Sequence, residues 1–315
     1  MQRITKCTLL LSVLLISVGL ISLLKIVNAQ EGDDIYEEND ILGTARVISP
    51  GYYTNLVQWD DDFYKLTAGK SLLLINSQRE KIELLRKTGL DHLFILNFTR
   101  EFSEISSNDF IRNILVARLK ASKVVIGFNH HFGHNREGNF DYLYELGQYY
   151  GFGVEEIPEQ DIHNETVSST LIRKALLEGR IQRANAYLDH HYIIMGELRE
   201  GSATCKQLNF RTLRINIDEE NKLVPPDGVY AVNVMVDGEY YKGILNIKNS
   251  LPVEQRIIEE IMIDIHLFEV PVGLKGKPAT VFFAKRIRDE LQFTDQGQMI
   301  RQLESDITEV GELIY

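Results

Sequence analysis

The sequence predicts an α/β part built on a parallel sheet, followed by an all-β part that ends in a helix. Three observations lead there. Between residues 78 and 179, apolar runs of strand length alternate with stretches of helical period. From about residue 192 a two-residue alternation takes over, and residues 295–313 return to helical spacing.

The first 29 residues stand apart. Arg3 and Lys6 precede an apolar run from Cys7 to Leu24, and Val27-Asn28-Ala29 supplies the small residues that a signal peptidase needs. An export signal is expected, with an uncleaved membrane anchor as the rival, because the run is nearly long enough to span a bilayer. Residues 30–69 are acidic and rich in turns, with strand candidates at 43–48, 52–57 and 62–66. Tyr36-Glu37-Glu38-Asn39-Asp40, Ile48-Ser49-Pro50-Gly51 and Asp60-Asp61-Asp62-Phe63-Tyr64-Lys65 resemble the opening half of the bacterial pre-peptidase C-terminal domain, a small β-sandwich of secreted proteins. Gly69-Lys70-Ser71 matches the end of a phosphate loop, but Tyr64 stands where that motif requires glycine.

From residue 78 the elements follow in order. Residues 79–88 have helical period through Ile82, Leu84 and Leu85, and Gly89 ends them; 92–96 is an apolar strand. Residues 107–119 form a second helix, 123–127 a buried strand, 140–151 a third helix and 154–157 a short strand. The last helix, 168–179, opens on Ser168, Ser169 and Thr170, carries Arg173 one turn in, and closes on Gly179. Free N–H groups at such a helix start, beside hydroxyls and a guanidinium, suit an anion. Strands joined by helices of this length form parallel sheets, whose ligands sit in loops at the carboxyl ends of the strands.

One such loop is 127–138. His131-Phe132-Gly133-His134 spells H-x-G-H, a nucleotidyltransferase signature, yet Gly133 and Gly138 resist the helix that this signature opens. Zinc on His130, His131 and His134 lacks a cysteine or carboxylate to complete the set. A flavin or nucleotide loop and a plain surface loop stay open beside these.

In the last part, Tyr230, Val232, Val234 and Val236 alternate with Ala231, Asn233 and Met235, as the wall of a barrel requires. Further strand segments fall at 213–217, 239–247, 262–268 and 279–284, punctuated by Asp227-Gly228 and Asp237-Gly238. The formal charge of −11 argues against nucleic acid as a partner, whose affinity comes from phosphate neutralisation by Lys and Arg. Beyond Cys7 only Cys205 remains, so no internal disulfide is possible.

Arg79-Glu80-Lys81-Ile82-Glu83-Leu84-Leu85, Phe98-Thr99-Arg100-Glu101-Phe102, Val125-Ile126-Gly127 with His130-His131-Phe132-Gly133, Arg136-Glu137-Gly138 and residues 167–173 together resemble the bacterial bifunctional riboflavin kinase/FMN adenylyltransferase (FAD synthase) family. The resemblance runs in family order from residue 78 to residue 315. It implies a partial Rossmann-like nucleotidyltransferase domain at 78–187, then a six-stranded antiparallel riboflavin kinase-like β-barrel with a C-terminal helix at 188–315. It further implies riboflavin, FMN and ATP as small-molecule substrates, with Mg²⁺ beside ATP. A membrane is touched only through residues 1–29, and the sequence assigns no oligomeric state. Residues 30–77 stand where the family's first βαβ unit belongs, so adenylyl transfer is expected to be lost.

The resemblance also assigns residues. Ser168, Ser169, Thr170 and Arg173 fall near the ATP phosphates, with Gly201 in the flap over ATP and Thr212 on metal and phosphate. His131, Phe132, Gly133, Arg136, Arg288 and Glu290 fall on the flavin side, and Asp264 holds the place of the catalytic base. Several positions depart from the family's pattern. Cys205 and Asn209 occupy flap glycines, Arg214 replaces an asparagine, and Asp264 replaces a glutamate. Lys248-Asn249-Ser250-Leu251 stands for a Gly-Thr-Arg-Pro segment, while residues 285–293 and Asp227-Gly228-Val229-Tyr230 keep the family's wording. A guanidinium cannot bind Mg²⁺. Asp is also about 1.5 Å shorter than Glu, and a misplacement of about 1 Å costs roughly a hundredfold. The expected function is phosphorylation of riboflavin; the alternatives are an inactive flavin- or nucleotide-binding paralogue and a chimeric reading frame.

Overall fold

A computed structural model describes residues 24–27, 53–59, 73–88, 92–97, 99–128, 130–158, 161–162, 165–201, 212–248, 261–269, 273–291, 293 and 295–313. The apolar run 7–23, the strand candidates at 43–48 and 62–66, and the flap positions Cys205 and Asn209 lie outside them. Among the described residues no helix is long and apolar enough to cross a membrane. The chain divides into two compact units, Met1–Leu72 with Ile82–Thr166, and Leu73–Lys81 with Val167–Tyr315.

The first unit holds a five-stranded sheet. Its strands are β1 (Leu24–Val27), β2 (Tyr53–Trp59), β3 (His92–Asn97), β4 (Lys123–Gly127) and β5 (Gly153–Ile157), in the order β3-β2-β1-β4-β5. β4 pairs parallel with β5, as the alternation of helices and strands predicts. β2, from the segment expected to be half of a separate β-sandwich, instead joins this sheet parallel to β3. A further difference is at the centre, where β1 runs antiparallel to both neighbours. The helix α1 (Gln78–Arg86) straddles the boundary of the units. After it come two short helices, α2 (Arg100–Ser103) and α3 (Ser107–Asp109), capped by the side chains of Thr99 and Ser106.

Residues 110–118 differ from the α-helix expected there. They form a π-helix, closed by Leu119 N–H donating to the Ile114 carbonyl five residues back at 2.9 Å. Ile111, Leu115 and Leu119 recur every four residues along it. All three are buried with Phe102, Val124, Ile126, Phe132, Leu143 and Phe152. The helix α4 (Phe140–Tyr150) starts on an Asn139 cap and stops at Gly151, whose φ of 82° only glycine adopts cheaply. A two-residue ladder, β6 (Asp161–Ile162) with β7 (Glu165–Thr166), follows.

The second unit begins with α5 (Ser169–Leu177), capped by Ser168 and ended at Gly179 with φ 70°. The helix α6 (Ile181–Leu188) has no counterpart among the predicted elements. Six antiparallel strands then close a barrel: β8 (Tyr192–Glu200), β9 (Thr212–Asn216), β10 (Gly228–Val236), β11 (Glu239–Lys248), β12 (Met262–Leu267) and β13 (Pro278–Arg288), in the order β10-β11-β12-β9-β8-β13. Asp237-Gly238 makes the two-residue hairpin between β10 and β11, both residues at positive φ. Asp227-Gly228 is no hairpin; Gly228 starts β10, where a Cβ would lie 2.6 Å from the Arg288 carbonyl oxygen. Tyr192, Tyr230, Val232, Leu245, Ile247, Ile265, Val281 and Phe283 fill the interior. The C-terminal helix α7 (Gln296–Leu313) lays Ile307 and Val310 on the outer side of β10 and β11, against Val229, Ala231 and Ile244.

Candidate active site on the outer wall of the barrel

Alternation in β9, β11 and β12 turns one set of side chains into the barrel and the other outward. Ile215, Leu245, Ile247, Ile263 and Ile265 go in and are buried. The outward set lines up through the strand register: Asn246 opposite Asp264, Asp264 opposite Arg214, and Arg214 opposite Arg199. Thr212 lies two residues from Arg214 on the same face, opposite His266.

Arg214 and Asp264 meet as a fork. Nε donates to Oδ1 at 2.9 Å and Nη2 to Oδ2 at 3.1 Å, with the side chains 36% and 19% exposed. Its hydrogen bonds to Asp264 raise the Arg214 pKa. Gly201 closes over Thr212: its N–H donates to the Thr212 carbonyl at 3.1 Å, and a Cβ there would lie 2.4 Å from Thr212 Oγ1. That hydroxyl is buried without a hydrogen-bond partner among the described residues, and so is Asn246 Oδ1. Next in the row, Glu290 stands 3.9 Å from Lys248. Burial lifts its pKa, and Lys248 and a hydrogen bond with Asn246 hold it partly down.

The site residues expected in the second unit therefore separate. Gly201, Thr212 and Asp264 share the outer wall, and Glu290 joins them through Asn246. Arg288 instead grips Asp306 of α7. Ser168 uses its hydroxyl to cap α5, accepting from Leu171 N–H at 3.3 Å. Ser169 and Thr170 form the first turn of that helix, and Arg173 Nε donates to the Leu73 carbonyl at 2.9 Å.

In the first unit the loop after β4 folds back on itself. Phe132 and Gly138 exchange two backbone hydrogen bonds, 3.0 and 2.9 Å, around a 3₁₀ turn at His134–Arg136. Gly133 has φ 75°, and a Cβ on it would stand 2.6 Å from the Ser107 backbone. Glu137 accepts from Ser107 N–H at 2.7 Å and His134 N–H donates to the Ile105 carbonyl at 2.8 Å, so the loop is fixed to the start of α3. Phe132 is buried, whereas His131 and Arg136 are exposed. His130 stacks on Phe132 with its Nε2 buried and unpartnered among the described residues, and burial lowers its pKa to about 4. Among the described residues no group of three His, Cys, Asp or Glu is placed to hold a metal, which leaves the zinc alternative without support there.

The family model described as riboflavin kinase matches residues 188–314, and the one described as FAD synthetase matches residues 60–171. A bifunctional riboflavin kinase/FMN adenylyltransferase of Buchnera aphidicola subsp. Acyrthosiphon pisum is 33% identical over 234 residues, covering 74% of each chain. The chain belongs to the bifunctional riboflavin kinase/FMN adenylyltransferase family. Other relatives of that name include those of Listeria monocytogenes, 30% identical over 75% of this chain and 74% of that one, and Escherichia coli K12, 30% identical over 72% of each. The fold is also similar to a crystal structure titled macrolide-efflux protein from Streptococcus pneumoniae (TM-score 0.69, 22% identity, 81% of this chain and 82% of that one).

Membership of this family implies a magnesium ion beside ATP. The outer wall does not fit one. Mg²⁺ demands hard oxygen ligands around it, whereas both Asp264 oxygens are engaged by Arg214 and a guanidinium faces the same space.

Sequence reasoning placed Asp264 and Arg214 in the site separately; it missed that they bind each other, and it missed Asn246 and Arg199. The outward phase of Asn246 is readable from the alternation of β11. Its opposition to Asp264 depends on a register that the sequence does not state.

Proposed function

We propose that the barrel binds riboflavin and ATP and transfers a phosphoryl group to the ribityl hydroxyl, giving FMN. The observation that carries this is the outer-wall row of Thr212, Arg214 and Asp264 beneath Gly201, on the barrel of a riboflavin kinase family member. In this reading Asp264 takes the hydroxyl proton as the new P–O bond forms and the bond to the departing ADP breaks. A carboxylate has about four lone-pair sites, and Arg214 uses two of them. Glu290 and Asn246 then lie at the flavin end of the row.

A second reading, a flavin- and nucleotide-binding protein without turnover, is favoured by the same fork, because both oxygens of the carboxylate already accept from a guanidinium. Adenylyl transfer to FMN is proposed to be absent. His131 and His134 sit in a folded-back loop fixed to α3, where nucleotidyl transfer by H-x-G-H needs them opening a helix.

The deciding experiment incubates the full chain with riboflavin and ATP, with and without magnesium, and separates riboflavin, FMN and FAD. FMN without FAD, abolished by Asp264→Asn, supports the kinase. Riboflavin fluorescence quenched with no ATP consumed supports the binder. For residues 1–29, export or anchoring is proposed on their own sequence. A cut before Gln30 would remove β1 from the middle of the sheet, so the uncut anchor is the form that keeps this fold. An N-terminus beginning at Gln30 in protein from the producing cell would overturn it.

A further inference from the structure

Two guanidiniums stand side by side on the outer wall, each beside a carboxylate: Arg214 with Asp264 and Arg199 with Glu197. Arg199 and Arg214 stand directly opposite each other on neighbouring strands, an arrangement that costs stability unless something negative lies between or beside them. Arg199 has a long contact to Glu197, 3.7 Å, with both side chains about half exposed. Arg214 spends two of its five N–H donors on Asp264, and the rest of the fork is accessible. Held by two hydrogen bonds, the guanidinium is pre-organised and loses little freedom when it meets a further partner. Beside it lies the buried Thr212 hydroxyl, unpartnered among the described residues, with Gly201 packed against it. A planar cation with spare donors beside a hydroxyl matches the oxygens of a phosphate.

We propose that Arg214, aimed by Asp264, takes the place of the divalent cation, so that this chain binds nucleotide phosphates without metal. The proposal rests on the reading of the outer wall as the ATP site. It predicts the reverse of ordinary kinase behaviour. Magnesium, which shields phosphate charge and is repelled by the fork, should weaken binding or leave it unchanged.

The test is calorimetric titration of the full chain with ATP, once in EDTA and once in millimolar magnesium. Equal or tighter binding in EDTA is expected. Arg214→Asn should lower the EDTA affinity by about tenfold or more, the loss of a charge-assisted contact, and make binding respond to magnesium. Arg214→Lys, which keeps the charge without the fork, should fall between the two. Binding by the unaltered chain only in magnesium would overturn the proposal and leave the ATP site standing, as would an unchanged EDTA affinity in Arg214→Asn. Binding in neither buffer would remove the ATP site itself. The comparison of buffers needs no variant, so a folding defect in Arg214→Asn does not protect the proposal.

Discussion

Arg288 holds both carboxylate oxygens of Asp306. Its Nε lies 3.0 and 3.1 Å from them and its Nη2 2.6 Å from one, while Gln302 donates to the other at 2.8 Å. Asp306 is 2% exposed, so the C-terminal helix is fastened to the end of β13 by a desolvated pair.

Breaking that pair from one side strands a buried charge. Arg288→Ala should therefore cost about 3 kcal/mol or more, read as a lower urea midpoint of the barrel. If Arg288 served the flavin instead, the midpoint would hold and only riboflavin affinity would fall.

A second desolvated pair sits where α1 begins. Lys222 Nζ, fully buried, donates to Glu80 at 2.5 Å and to the carbonyls of Ile75 and Ile193 at 2.6 and 2.9 Å. Glu80 also accepts from the N–H groups of Ser77 and Met195. Lys222→Met should lower stability by about 3–5 kcal/mol, and adding Glu80→Gln should recover part of the loss, because the second change removes the charge left behind. Equal melting points for the single and double variants would refute this coupling.

His130 makes the first unit acid-sensitive. Its folded pKa of about 4 lies below the unfolded value of 6.5, so the unfolded chain binds the proton more readily and stability falls as pH drops from 6.5 towards 4. The gap amounts to about 3 kcal/mol. Desolvation is the main cause, with the charges of His131 and Arg136 adding to it. Urea midpoints at pH 7 and pH 4.5 should differ less in His130→Phe than in the unaltered chain.

Gly133→Ala should loosen the loop after β4. The new Cβ meets the Ser107 backbone at 2.6 Å and the residue must keep φ near 75°, together worth about 1–3 kcal/mol. Faster hydrogen exchange at Ser107 and His134, whose N–H groups are held by Glu137 and Ile105, would report it.

Much of this architecture is legible in the residues because the deciding signals are local. Ser168 caps a helix that Gly179 ends, Asp237-Gly238 turns a hairpin, and Tyr230 to Val236 alternate as a barrel wall must. What escapes is weakly marked. The α6 helix is eight residues long and has no side-chain cap, and β8 opens on Tyr192-Ile193-Ile194, a run without alternation. The site is harder still. The sequence names Arg214 and Asp264, yet 50 residues separate them, and only strand register makes them one group. The same holds for Arg288, whose partner Asp306 lies on the far side of a loop.

The Lys222 ammonium also limits where the polypeptide can be cut. Two of its three acceptors, and the bridge between Leu74 and Lys222, come from residues 73–81, more than a hundred positions ahead of the first barrel strand. A barrel expressed alone from residue 188 would enclose a lysine stripped of its counter-charge, so a minimal soluble fragment has to carry that distant leader with it.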